Sequence, residues 1–464
     1  MALMRGKNHD DLAHEQETNE GNTIAHAVIR SIDKDNDILI PYINLPASIE
    51  PISLLLDSLQ TCFQIMRLQL DNEDDPQIIF ETLNARGAPL QPSDLIRNFL
   101  FLTASRQNED VDDLYKNYWQ EFDEKTEIGT TVKGQKFWKK EERQGRLKNS
   151  RLDLLLYHYV GLRKQEETKV AYVFEEFKNW WELERRDTAQ ELQKLTRISG
   201  PFETLIAPGQ SSRFELFCRR MKLLDTTTQT PLIFHLIEHN EIDGPDFLQA
   251  IDYLESYFVR RFICGLTAKS YNRVFLNRLL AEMVAERKSD SATLRNLLLR
   301  LEGDSQRWPD DAEFRSAWSH RQLYQGRNTR KVRAVLEALE FAQRGSKQEF
   351  TPTLDTLSVE HVLPQSWKPE DWPLVDDSSE GKEKRVRLLH SIGNLTLVTP
   401  SFNSALSNEP FRVKRPELAK NSSLMLNAYF QSFADSDAWN ELTIVDRADK
   451  LFGYATALWP RPSP

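Results

Sequence analysis

Six stretches between residues 106 and 345 repeat their apolar residues at intervals of three and four: RLDLLLYHYVGL, KVAYVFEEFKNWWELERR, DFLQAIDYLESYFVRRFICGL, YNRVFLNRLLAEMVAE, ATLRNLLLRLE and TRKVRAVLEALEFAQR. That spacing lays one apolar stripe along a helix, and a stripe of this kind is stable only when another element covers it. The span therefore reads as a body of packed helices, with Trp180, Trp181, Trp308 and Trp318 as packing residues. No fixed period recurs along it.

The 464 residues are 40% apolar and 28% charged, the balance of a soluble globular chain with real cores. No apolar run approaches the roughly 18–20 residues of a membrane helix. The opening MALMRGKNHDDLAHEQETNEGN lacks the apolar centre of a signal peptide. Cys62, Cys218 and Cys264 are too far apart for a zinc knuckle and too few for a disulfide scaffold, so a cytoplasmic location is expected. The net charge of −10 hides local clusters. Residues 133–151 hold eight Lys or Arg against two Glu, and 382–420 hold eight against three, while 429–450 is acidic. This segregation suits a basic groove on an acidic protein; solvated helix faces are the plainer reading of the first cluster.

The expected order along the chain begins with a peripheral segment at 1–30 and a helix at 47–70. A strand IIFETL follows, then a turn NARGAP in which Gly87 is free to take positive φ, and a helix capped by Ser93. After GSKQEFTPTLDT the pattern changes to strand LSVEHVL, a polar loop, strand NLTLV, and a helix with Pro400 near its start. The fold class is mainly α with a small α+β part. The expected divisions are 1–105, a helical middle at 106–345, 346–440, and a tail at 441–464.

Chemistry concentrates in the third division. Hydrolysis of a phosphodiester needs a base near neutral pH, which a histidine supplies, and a hard cation on the phosphoryl and leaving oxygens, which oxygen ligands hold. His361 can be the base, Glu360 and Asn403 can supply the oxygens, and Asn394 can orient the imidazole. Glu360 and His361 end one strand, Asn394 opens the next, and Asn403 lies past it. A strand pair on a helix would gather all four.

The run EHVLPQ…GNLTLVTPSFNSALSN…F..K resembles the HNH, or ββα-metal, nuclease domain at the C-terminus of GmrSD-type modification-dependent restriction proteins, and is similar to the HNH domain of RNA-guided CRISPR nucleases. The resemblance implies His361 as general base, Glu360 and Asn403 as ligands of one Mg²⁺ or Mn²⁺, and Asn394 as holder of the histidine or its loop. Lys414, Arg412 and Arg415 are implied phosphate contacts. His390 reads as structural, and Asn408 as a cap or turn. IIFETLNARGAPLQPSDLIRNFLF resembles the ParB-like N-terminal domain of the same family, with Asn84, Gly87, Asp94 and Asn98 as its signature. The Asp-Gly-Gln-Gln-Arg motif of that domain's nucleotide chemistry is absent. The region therefore reads as truncated, no nucleotide is expected from this chain alone, and a second polypeptide would carry the missing half. GTTVKGQK has Gln135 where a phosphate loop needs lysine, and is rejected.

Three functions follow in order of preference. The first is a metal-dependent HNH endonuclease restricting foreign or modified DNA. The second is a catalytically silent DNA-binding or docking subunit whose partner supplies the nucleotide-hydrolysing half. The third is a nucleotide-binding switch. The oligomeric state is open, and no membrane partner is expected.

Overall fold

The computed structural model describes residues 13–19, 22–28, 44–46, 90–127, 134–344, 353–400, 408–434 and 437–463. The chain divides into two compact units, Met1–Leu83 and Asn84–Pro464. In the first, β1 (Ala13–Asn19), β2 (Asn22–Val28) and β3 (Asn44–Pro46) form an antiparallel sheet in that order. Asn19 stands opposite Asn22, and Ile24 opposite Pro46. This sheet departs from the expectation of a merely peripheral segment. The strand AHEQETN holds too few apolar side chains for alternation to show. The helix expected at 47–70, the strand IIFETL, Asn84 and Gly87 lie outside the described residues.

The second unit is helical, as its spacing predicts. It opens with α1 (Pro92–Arg106), where Gln91 takes the N-cap position and Pro92 the first turn. Ser93, expected as the cap, lies one step inside. Its backbone N–H donates to the Asp153 carboxylate at 2.9 Å, which ties α1 to α2 (Arg151–Lys164). Ser150 caps α2 and bonds the same carboxylate. The basic segment before α2 is a hairpin rather than a helix face. β4 (Glu141–Gln144) pairs antiparallel with β5 (Leu147–Ser150), with Gln144 opposite Leu147. Its charge is largely answered: Arg151 bridges Glu127 and Glu142, Lys140 meets Glu127, and Lys148 meets Glu141.

The body continues through α3 (Val173–Glu182), α4 (Thr188–Ile206), α5 (Arg213–Leu224), α6 (Thr230–His239) and α7 (Pro245–Cys264). Trp180, Trp181, Trp308 and Trp318 are all buried in its core, as expected. Next come α8 (Asp311–His320) and α9 (Thr329–Gln343), the latter packed along α5. The C-terminal part carries β6 (Ser358–His361), α10 (Ser379–Leu389), β7 (Leu395–Val398), α11 (Phe411–Asn421) and α12 (Glu441–Leu458). Among the described residues no helix is long and apolar enough to cross a membrane.

Strands β6 and β7 pair antiparallel in the register Ser358↔Val398, Val359↔Leu397, Glu360↔Thr396, His361↔Leu395. Alternation divides the pair into two faces. Val359, Leu395 and Leu397 join the main core with the helical body. Val398 joins a second core with Val362, Leu363, Trp372, Phe411, Phe430 and Trp439.

Residues 441–464, set apart by sequence as a tail, carry α12, which packs on α8, α9 and α10 and on the turn before β7. Trp459 is fully buried, with its indole N–H on Glu255 of α7 and its carbonyl accepting from Arg260. Arg447 of α12 donates to the carbonyls of Gly393, Leu395 and Leu426.

Two outcomes follow. A Cβ at Gly393 would meet the Ile444 carbonyl oxygen at 2.1 Å, backbone against backbone. Gly393→Ala is expected to push α12 off β7 and destabilise by about 1–3 kcal/mol or more, read as a lower urea midpoint. His158 is buried between Phe202 and Phe234 with Nε2 2.7 Å from Gln144 Oε1, and burial holds its pKa down at about 3. The unfolded chain, with an ordinary histidine near 6.5, takes a proton that the folded state refuses. Stability from this group is therefore lost as pH falls below about 6.5 towards 3. The protein should be about 2 kcal/mol less stable at pH 5 than at pH 7 on this account, and His158→Gln should remove that difference in urea titrations.

Candidate active site

The end of β6 places Glu360 and His361 on opposite faces of the strand, because the ladder runs through His361 and its partner Leu395. Among the described residues the two side chains enter different groups, so the expected convergence on one point is not what the strand end builds.

His361 faces the helical body and is 5% exposed. Its Nε2 lies 3.1 Å from Nδ1 of His390, and the two rings stand at 85° with centroids 5.2 Å apart. The Tyr324 ring meets it edge-on at 4.5 Å and stacks at 13° to His390. Tyr324 comes from the segment between α8 and α9, anchored because the backbone N–H groups of Leu323 and Tyr324 both donate to the His390 carbonyl, at 2.9 and 3.2 Å. Burial, then His390 and Lys414, pushes the His361 pKa down to about 3, so the ring is a neutral imidazole with a lone pair at neutral pH.

Glu360 occupies the other face. Its Oε1 accepts from the Lys414 ammonium at 2.7 Å, and the same ammonium donates to the His361 carbonyl at 3.0 Å. Lys414 is fully buried. Burial raises the Glu360 pKa against the opposing pull of Lys414, and lowers that of Lys414 against Glu360. Desolvation thus works against both charges, and each keeps the other ionised. Lys414 is a partner of Glu360 here rather than a surface cation waiting for phosphate.

Asn394 is fully buried and gives nothing to the imidazole. Its Oδ1 accepts from Leu363 N at 2.8 Å and Trp439 Nε1 at 2.9 Å, and its Nδ2 donates to the Leu363 and Leu389 carbonyls at 2.9 Å each. An amide has two donors and two acceptor sites, and all are used. Of the two roles the sequence allowed it, Asn394 holds the loop after β6 and not the histidine ring.

The other sequence candidates divide. Arg412 is exposed in the first turn of α11. Arg415 donates through Nη1 to the Phe433 carbonyl at 2.8 Å. Asp94 lies in the first turn of α1, and Asn98 is exposed further along it. Asn403 lies outside the described residues. The basic run 382–420 is partly internal: Arg385 is buried on Glu441, and Lys382 and Arg387 pair with Asp377 and Glu383. Tyr324 and Trp439 were missed by sequence, since each reaches the site from a segment outside the motif.

The corner at Glu360 offers oxygen donors, the ligand type that a hard cation takes. It holds the Lys414 ammonium between a carboxylate and a carbonyl oxygen. Carboxylate and amide oxygens suit Mg²⁺ or Mn²⁺. No group of three His, Cys, Asp or Glu gathers among the described residues, so a closed zinc-type cage is not what they form.

The fold is thus a helical body carrying a small two-stranded site with a histidine on one face and a carboxylate on the other. Residues 308–453 match the family model for the C-terminal domain of GmrSD restriction endonucleases, and residues 2–101 match that for their N-terminal domain. The two matches together span more than half of the chain, and it belongs to the GmrSD restriction endonucleases. DNA is the substrate that membership implies. No curated protein matches the chain.

Removing Lys414 would leave a half-buried carboxylate unpaired. Lys414→Met is expected to cost about 3–5 kcal/mol at neutral pH, and Glu360→Gln in the same chain should restore much of it. A double-mutant cycle in urea checks this, and additive effects would show that the pair is not coupled.

Proposed function

We propose that the chain is a metal-dependent endonuclease of the HNH, ββα-metal type that restricts foreign or modified DNA. The observation that supports this reading is a buried His361, held neutral by its burial, next in sequence to Glu360 at the end of β6. His361 takes the proton from water, the water oxygen attacks phosphorus, and the 3′ oxygen leaves in line. An imidazole forced neutral by burial is a weak base on its own. The substrate phosphate is an anion, and an anion beside the ring favours its protonated form, which reverses part of that shift. Glu360 and Asn403 would hold one Mg²⁺ or Mn²⁺, which when bound supplies charge stabilisation on the phosphoryl and leaving oxygens. Lys414 keeps Glu360 ionised and pointed into the corner. Asn394 and Trp439 fix the loop that follows the base. Arg412, which is exposed, would contact the DNA backbone, a contact that positions the duplex without reading its sequence.

The Glu360–Lys414 ion pair favours a second reading. A carboxylate already neutralised by an internal ammonium needs no metal, and the chain would then be a silent DNA-binding or docking subunit of a complex whose partner carries nucleotide hydrolysis.

One assay separates the two. Purified protein is incubated with unmodified and modified plasmid and Mg²⁺ or Mn²⁺, with and without nucleotide. The enzyme reading expects nicking or linearisation that falls by about 10²–10⁴-fold in His361→Ala and is lost in Glu360→Gln. Wild-type protein that cuts nothing under any of these conditions overturns it and leaves the subunit.

A further inference from the structure

The imidazole of His361 is not held by Asn394, and the group that does touch it is a second histidine. We infer that His390 is a positioning residue for His361: its ring decides which nitrogen of His361 carries the proton, and Tyr324 keeps the His361 ring from turning over. This rests on the reading of His361 as the general base.

A neutral imidazole has one N–H and one lone pair. Across the 3.1 Å between His361 Nε2 and His390 Nδ1, one nitrogen donates and the other accepts. If His390 donates from Nδ1, His361 must accept at Nε2, and its remaining nitrogen carries the proton. No lone pair is then left to take a proton from water. If His361 donates from Nε2, its Nδ1 is bare and can act as base. His390 then accepts at Nδ1 and carries its own proton on Nε2. The His390 ring is only half-buried, so that N–H can reach water. The second arrangement is the one a base requires, and the orientation of the pair permits it.

A histidine ring can also flip about its last side-chain bond, which exchanges Nδ1 with Cδ2 and Nε2 with Cε1 and so would turn a carbon towards His390. Tyr324 blocks this. Its ring packs at 85° against His361 with centroids 4.5 Å apart, so a flip must displace it. Tyr324 is itself tied down, because its backbone N–H and that of Leu323 both bond the His390 carbonyl. Histidine, partner and wedge therefore form one unit. The wedge is supplied by the helical body, from the segment between α8 and α9, and not by the strand pair. The Nδ1 of His361 makes no hydrogen bond among the described residues, which leaves it available to a water.

Long-range ¹H–¹⁵N spectra of metal-free protein labelled at histidine nitrogens test the assignment directly, with His361→Asn identifying the resonances. The wild type should show His361 protonated at Nε2 and bare at Nδ1. His390→Ala should convert it to a mixture of tautomers. In plasmid cleavage His390→Ala should lower kcat by about 10²-fold while KM stays within about threefold. His390→Asn places an amide oxygen near the lost Nδ1 and should recover most of the rate and the tautomer. His390→Gln reaches towards the Nε2 position instead and should recover neither. Tyr324→Ala should broaden or double the His361 resonances.

A wild-type His361 protonated at Nδ1, or a tautomer unchanged in His390→Ala, overturns the inference. Melting temperatures of all variants show whether a rate loss follows from unfolding, and a well-folded His390→Asn that restores nothing also counts against it. Should wild-type protein cut no DNA, the nuclease reading fails, while the spectra still decide whether His390 sets the His361 tautomer.

Discussion

The four-pair ladder between β6 and β7 is the constraint on which the C-terminal region depends. Adjacent residues of a strand leave opposite faces, so a glutamate and a histidine that are neighbours in sequence are sorted into two environments. His361 goes to the side that packs on the helical body, where it meets Tyr324 and His390. Glu360 goes to the side of the second core, where Lys414 answers its charge. The ammonium that binds Glu360 also binds the backbone carbonyl of His361. The two environments are therefore joined through the main chain of the strand rather than through a shared cluster of side chains.

Buried polar groups hold this small ladder in place. Asn394 spends its whole amide on Leu363, Leu389 and Trp439. Arg447 crosses from α12 to the carbonyls on either side of Asn394. Glu340 of α9 accepts from the backbone N–H groups of Met425 and Leu426. Each group is desolvated, and breaking one bond would leave its partner unsatisfied at about 1–3 kcal/mol. Such networks define one arrangement of helices around the strands. This is why α12, which contributes nothing to the motif, belongs to the structure of the site. Arg219 of α5, which pairs with Glu337 of α9 and with Asp355 just ahead of β6, carries the same logic into the helical body.

Much of this was legible in the sequence. The helical body follows from apolar residues at three and four, and the buried tryptophans follow with it. The strands at 358–361 and 395–398 were legible because their β-branched and apolar runs are short and bounded by turn residues. The hairpin at 141–150 was not. EERQGRLKNS has the charge of a solvated face, and its strands pair through backbone and ion pairs that no apolar period announces. Ser93 looked like a cap because capping residues are recognised by type, whereas the tertiary bond of its N–H to Asp153 puts it inside the helix. The 441–464 segment looked like a tail because its docking partners, Glu255 and Arg260, lie some two hundred residues away.

At the site the division is sharper. Sequence alone determined that a histidine and a carboxylate end one strand and that an asparagine precedes the next. These are properties of residue type and local spacing, which backbone periodicity preserves whatever the chain packs against. Tertiary structure decided which groups those side chains touch. It gave the asparagine to the loop and to Trp439, the lysine to the glutamate, and a second histidine and a tyrosine to the first histidine. Hydrogen bonds and ring contacts of this kind depend on distances of a few ångströms between segments far apart along the chain, and no local pattern encodes them.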